Sequence, residues 1–313
     1  MLNVTFKPIH FALFLALLLT LSASAAQAQE ANNAPKPLRY SFQTVNFPGD
    51  TFTQLLGVNS TGKIAGYHGQ AINQGFVLTL PDSFTTENFP NSTQTQVVGI
   101  NNSGNTAGFY IDQAGVTHGF LDIRGTPQTI DYPKSATAKT PFNQLLGLNV
   151  YNDAVGYFAD AANEATSEHA YVYEDGQFLP IYRELVPLGA AGSQATSISN
   201  KGTVSGFYFT NQGTESHGFL ERQGTITKLD YPGSKFTQAL GVNVQEEVVG
   251  FYIDSAGNTH GFVYRQGQFQ KVDEPQAVEP GGTVINGIND QGEIVGFYVD
   301  AAGNTDGFVG MPQ

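Results

Sequence analysis

Residues 241–275 read GVNVQEEVVGFYIDSAGNTHGFVYRQGQFQKVDEP, and this stretch holds most of one repeat of the chain. It opens on Gly241-Val242-Asn243. A turn leads to a short apolar run, Val248-Val249-Gly250-Phe251-Tyr252. An Asp254-x-x-Gly257 connection then reaches His260-Gly261-Phe262-Val263. The pair Gln266-Gly267 separates that run from a last one, which ends at Asp273 and Pro275. Short apolar runs bounded by Gly, Asn and Asp point to strands rather than helices. An X-Gly pair between two such runs suits a two-residue hairpin turn, where the backbone must take positive φ.

The same elements recur along the chain. The Gly-aliphatic-Asn element stands at Gly57, Gly99, Gly147, Gly241 and Gly287, and Ser197-Ile198-Ser199 is a degenerate copy. Successive starts are 42, 48, 50, 44 and 46 residues apart. The turn pairs Arg124-Gly125, Asp175-Gly176 and Gln223-Gly224 match Gln266-Gly267. Each copy divides into four strands, a to d, and no segment holds a 3.6-residue period with caps. A unit of this size cannot bury its apolar face alone and must stack on its neighbours. Four-stranded units of 40–50 residues predict an all-β fold, a six-bladed β-propeller.

The two ends refine this expectation. The chain opens with a d-type strand over Phe42–Phe47. It closes with a c-type strand at Gly307-Phe308-Val309 and has no d strand after it. The first strand is therefore expected to complete the last blade, which leaves no exposed sheet edge. The expected organisation is a signal peptide over 1–28, a flexible leader over 29–39, and one propeller domain over 40–313.

The signal peptide rests on Lys7 and His10 before the apolar run Phe11–Leu21, with small residues and Ala26-Gln27-Ala28 after it. That run is about half the roughly 20 residues that a membrane span requires. A secreted or periplasmic protein is expected, without stable membrane insertion after cleavage. The chain has no Cys, so its stability must come from its core rather than from disulfides. Its formal net charge of -13 argues against nucleic acid as a partner. A monomer is expected, with no cofactor, and an extracellular glycan or protein is the class of partner left open.

Four of the six histidines begin a c strand: His118, His169, His217 and His260. In three units an Asp follows thirteen residues later, pairing His118 with Asp131, His217 with Asp230 and His260 with Asp273. With a two-residue turn between strands c and d, residues at this separation face each other across the hairpin. In the sixth unit Asp306 would face Asn46 of the first strand. These are read as structural cross-strand pairs. A metal site would need several ligands converging on one point, and the pairs are spread one per blade. The Asp-x-x-Gly connections lack the alternating carboxylates of a calcium loop and read as Asx turns.

The repeats resemble those of an extracellular repeat family named for a His-Ala-Phe motif. The matching features are the His-Gly-Phe triplets at His118, His217 and His260, the variant His169-Ala170-Tyr171, and Gly-Ile-Asn at Gly99 and Gly287. This chain mostly has Gly where that motif has Ala. The resemblance covers residues 40–310. It implies an exported bacterial repeat protein and supplies no catalytic residue.

The expected function is a binding or structural scaffold with no catalytic constellation. The alternative is an extracellular hydrolase or lyase acting on polysaccharide through carboxylates at the channel mouth. Binding is expected in the loops of units three and four, which depart most from the repeat. The residues singled out there are Lys139, Phe142, Arg183 and Glu184.

Overall fold

The computed structural model describes residues 37–133, 142–160 and 167–313. Residues Arg39–Gln313 form one compact unit. The described residues are all-β, apart from one helical turn at Tyr182–Leu185 and two 3₁₀ turns among them. Unit one has strands Thr53–Val58, Lys63–His68, Gln74–Thr79 and Ser83–Thr86. Units two to five repeat this order, with strand a at Gln94–Ile100, Phe142–Leu148, Gly192–Ile198 and Phe236–Val242. Within each unit, neighbouring strands pair antiparallel.

In the sixth unit, strands Thr283–Ile288, Ile294–Val299 and Thr305–Pro312 supply a, b and c. The strand Tyr40–Thr44 pairs antiparallel with Thr305–Pro312, with Phe42 opposite Gly310 and Thr44 opposite Phe308. The first of the described strands thus completes the last four-stranded sheet, in the order Tyr40–Thr44, c, b, a.

The turn chemistry explains the hairpins between strands c and d. Both residues of each X-Gly pair have positive φ, as in Gln266 (51°) and Gly267 (81°). This is the geometry that matches the twist of the flanking strands. The glycines at the centre of strand b answer a steric demand. A Cβ on Gly66 would lie 2.8 Å from the ring of Phe76, which pairs opposite it on strand c.

The Gly-aliphatic-Asn element is where the units meet. Each strand a carries a β-bulge just before its glycine, or before Ser197 in unit four, as between Leu55 and Gly57. A Cβ on Gly99 would lie 2.9 Å from Gly147 Cα, and one on Gly147 would lie 3.0 Å from Ser197 Cα. Only a bare backbone allows this approach. The asparagine of the element then ties one unit to the next. Asn59 Nδ2 donates to Asn101 O at 2.9 Å, and Asn101 Nδ2 to Asn149 O at 2.9 Å. Asn243 Nδ2 donates to Asn289 O at 3.2 Å, and Asn289 Nδ2 to Asn59 O at 3.1 Å.

The apolar core lies between the sheets. Leu55, Ile64 and Phe76 of unit one pack with Val295 and Val309 of unit six. The bulged residues Leu56, Val98, Leu146, Thr196, Leu240 and Asn286 turn away from that core. They line a central cavity of about 270 Å³ shared by strand a of all six units.

Candidate functional site

The c strands begin at the end of the units where the b-to-c and d-to-a connections lie. Hairpin register brings a residue one or two positions beyond the end of strand d back to this point. His118 Nδ1 lies 2.6 Å from Asp131 Oδ2, and His217 Nδ1 lies 3.0 Å from Asp230 Oδ1. His260 Nδ1 lies 2.9 Å from Asp273 Oδ2. In the sixth unit Asn46 Nδ2 donates to Asp306 Oδ1 at 2.6 Å.

A second hydrogen bond accompanies several of these pairs. The other oxygen of Asp131 accepts the N–H of Gly119 at 3.2 Å, and that of Asp273 accepts the N–H of Gly261 at 3.1 Å. Asn46 Oδ1 accepts from Gly307 N–H at 3.0 Å. In unit three, His169 instead meets Asp160 through Nε2 at 3.0 Å and packs against the Tyr182 ring.

Units two and five go further than the pairing expected from the repeat, and in unit two His118 Nε2 lies 3.5 Å from Asp112 Oδ2. His260 Nε2 also lies 3.3 Å from Asp254 Oδ2, so each ring nitrogen faces a carboxylate. Lys271 Nζ stands 3.5 Å from Nε2 and 3.0 Å from Asp273 Oδ2. The His260 side chain is 6 % exposed, against 14 % for His217 and 20 % for His118. Asp254 is set by its own turn. Its Oδ1 accepts the backbone N–H of Ala256 and of Asn258 at 2.8 and 2.9 Å. These bonds, that from Asn258 foremost, hold its carboxyl down at about 2.

This arrangement corrects the expectation of a scaffold with no catalytic constellation. A buried imidazole with a carboxylate on each nitrogen and an ammonium group alongside brings together the groups that acid–base chemistry uses. Asp254 belongs to the b-to-c turn six residues before the histidine, so pairing across the c–d hairpin alone does not bring it in.

Lys139 lies outside the described residues. Phe142 opens strand a of unit three, and its ring stands 5.8 Å from that of Tyr157. Arg183 and Glu184 are exposed on the helical turn that Ile181 and Leu185 anchor in the core.

A residue not singled out from the sequence lies nearby. Glu168 opens strand c of unit three, just before His169. The corresponding residues elsewhere are Asn73, Thr117, Ser216, Thr259 and Thr305, none of them ionisable. Glu168 Oε2 accepts from Gln194 Nε2 at 2.7 Å. Burial pushes its carboxyl up to about 7, against the lowering effect of that amide. Its signal in the sequence was a charge at a position where every other unit has a small polar residue.

Among the described residues, no group of three or more His, Asp or Glu side chains is arranged to hold a metal ion. No helix among them is long and apolar enough to cross a membrane.

No protein-family model matches the chain, and no curated protein matches it. Solved structures do match it. The fungal fucose-binding lectin of Aleuria aurantia, described as a six-bladed β-propeller, is 9 % identical with a TM-score of 0.52. The match covers 89 % of this chain and 96 % of that one. Virginiamycin B lyase from Staphylococcus aureus is 13 % identical with a TM-score of 0.50, over 87 % of this chain and all of that one. At these identities the likeness is one of fold, and it places the chain among propeller-like all-β proteins.

Proposed function

We propose that the protein is an exported lyase or hydrolase acting on an extracellular polysaccharide. The observation that carries this is the burial of His260 between Asp254 and Asp273. In this reading His260 moves the proton, Asp273 orients its ring through Nδ1, and Asp254 supports the charge that develops on it. Elimination needs a base to take a proton beside a carboxylate or ester and an acid to protonate the leaving oxygen. Hydrolysis needs the same pair around a water. Lys271 adds a positive charge next to the site, which suits an acidic sugar.

The scaffold we propose is a closed six-bladed propeller of the His-Ala-Phe repeat type. Three contacts support closure. Gly287 approaches Gly57, Asn289 donates to Asn59 O, and Phe52 bridges Thr305 in parallel. The last matches the bridges Phe142–Thr117 and Ser216–Phe236 between other consecutive units. The signal-like N-terminus supports export.

The test is turnover of a panel of acidic and neutral polysaccharides. Release of reducing ends reports hydrolysis, and ultraviolet absorbance of an unsaturated product reports elimination. His260→Gln and Asp254→Asn are expected to lower kcat by 10²-fold or more, on the order of an acid–base contribution. Activity retained in both folded variants would remove the assignment.

A further inference from the structure

We infer that the mouth of the central cavity is a second site, built by a ring of glutamines and Glu168, that binds a neutral polyhydroxylated ligand such as one sugar unit. It stands apart from the reading of His260 and does not depend on it.

The ring follows from strand register. Gln54, Gln96, Gln144, Gln194 and Gln238 occupy the same place on strand a of units one to five. Each lies two residues before the bulged residue that lines the cavity, and so on the same face of its strand. Gln194 and Gln238 themselves line the cavity. Opposite each glutamine on strand b is an aromatic ring: Tyr67, Phe109, Tyr157, Phe207 or Phe251. Unit six has Val284 and Phe297 instead. Going into the cavity from this mouth, the ring of amides gives way to aliphatic side chains, Leu56, Val98, Leu146 and Leu240.

Each amide is held at one end only. Gln54 Oε1 accepts from Tyr67 Oη at 2.8 Å, and Gln144 Oε1 from Tyr157 Oη at 3.0 Å. Their NH₂ groups are left as donors. Gln96 Nε2 donates to Asn73 Oδ1 at 2.7 Å, and Gln194 Nε2 donates to Glu168. Their carbonyl oxygens are left as acceptors. A pre-set ring of donors and acceptors is what hydroxyl groups need, because each hydroxyl both donates and accepts.

Charge selects among hydroxyl-bearing ligands. Among the described residues no Lys or Arg lines the central cavity, and Asp290 is the one carboxylate in its lining. Glu168, bonded to the lining residue Gln194, adds an acidic group at the mouth, which disfavours an acidic sugar. The raised affinity of Glu168 for its proton fits the same picture, since a protonated carboxyl adds a further donor.

The experiment is saturation-transfer NMR on the whole protein, with D-glucose, D-galactose, D-mannose and sorbitol as neutral probes and sodium glucuronate as the charged comparison. At least one neutral probe is expected to show transfer, with glucuronate at least tenfold weaker. Glu168→Ala and Gln194→Leu are expected to weaken the neutral probe tenfold or more. Glu168→Gln, which keeps a donor and an acceptor, should stay within about threefold of the natural protein. Absence of transfer from every neutral probe overturns the site. So does binding that both disabling variants leave unchanged, or glucuronate binding as well as the neutral sugars. Because the readout is binding and not turnover, its failure leaves the assignment of His260 standing, and loss of that assignment leaves this site standing.

Discussion

At the scale of single residues, polar matching decides what stands at the end of strand d. In units two and five an Asp accepts on one oxygen the N–H of the Gly after the histidine and meets the histidine ring with the other. In unit six the c-strand residue is itself an acceptor, Asp306, and Asn46 meets it with a donor. Unit one uses the same device, with Asn88 Nδ2 donating to Gln74 Oε1 at 2.5 Å. His260→Asp alone would set two carboxylates face to face and is expected to destabilise by about 2 kcal/mol. Adding Asp273→Asn recreates the unit-six pair and is expected to recover at least half of that. Urea unfolding of the two single variants and the double variant measures the coupling; additive effects would rule out direct pairing.

Glu168 gives a pH prediction at the same scale. Its carboxyl is raised to about 7 by burial, from a reference of 4.5. Between these values the unfolded chain loses the proton first, so stability falls as pH rises and the penalty is complete above about 7. The cost is at most about 3 kcal/mol. Glu168→Gln is expected to match the natural protein below pH 4.5 and to unfold at higher temperature at pH 8. Equal melting curves at pH 8 would contradict a buried ionisable Glu168.

At the scale of elements, strand a bears the tightest constraint. Its bulge turns one side chain into the central cavity, and its glycine lets the next unit's backbone approach. Gly99→Ala would place a methyl 2.9 Å from Gly147 Cα and 3.0 Å from the Leu148 side chain. The expected cost is about 1–3 kcal/mol in denaturant unfolding. Ser197→Ala tests the same place in unit four, where a side chain is already accommodated, and should change stability by less than about 1 kcal/mol. A similar loss at both positions would mean that backbone approach does not explain the glycine. Unit four also interrupts the asparagine ties, since Ser199 has no amide to reach the next unit.

At the scale of the whole molecule, the ends of the chain share one sheet. Tyr40–Thr44 covers the free edge of Thr305–Pro312, and Val45 packs with Leu55 and Val309. Without that strand, the c strand of unit six would present a row of unpaired backbone groups. A chain lacking residues 40–46 is expected to melt roughly ten degrees lower or more, with amide exchange in Thr305–Pro312 accelerated first. A synthetic peptide of residues 39–47 should restore protection in trans. An unchanged melting temperature would show that the edge does not depend on this strand.

The repeat period, the turn pairs with positive φ and the phase shift between the chain's two ends were all legible in the amino-acid order. Each depends on local backbone chemistry that recurs along the chain. The His–Asp separation was legible too, because a two-residue turn sets hairpin register. Three features required the tertiary structure. Asp254 reaches His260, as Asp112 reaches His118, because folded Asx turns curl the b-to-c connections over the start of strand c. Glu168 is driven toward neutrality by burial that its flanking sequence does not reveal. Gln194 and Gln238 reach one cavity only because strands a of separate units are brought around it, a long-range arrangement that no local window of sequence contains.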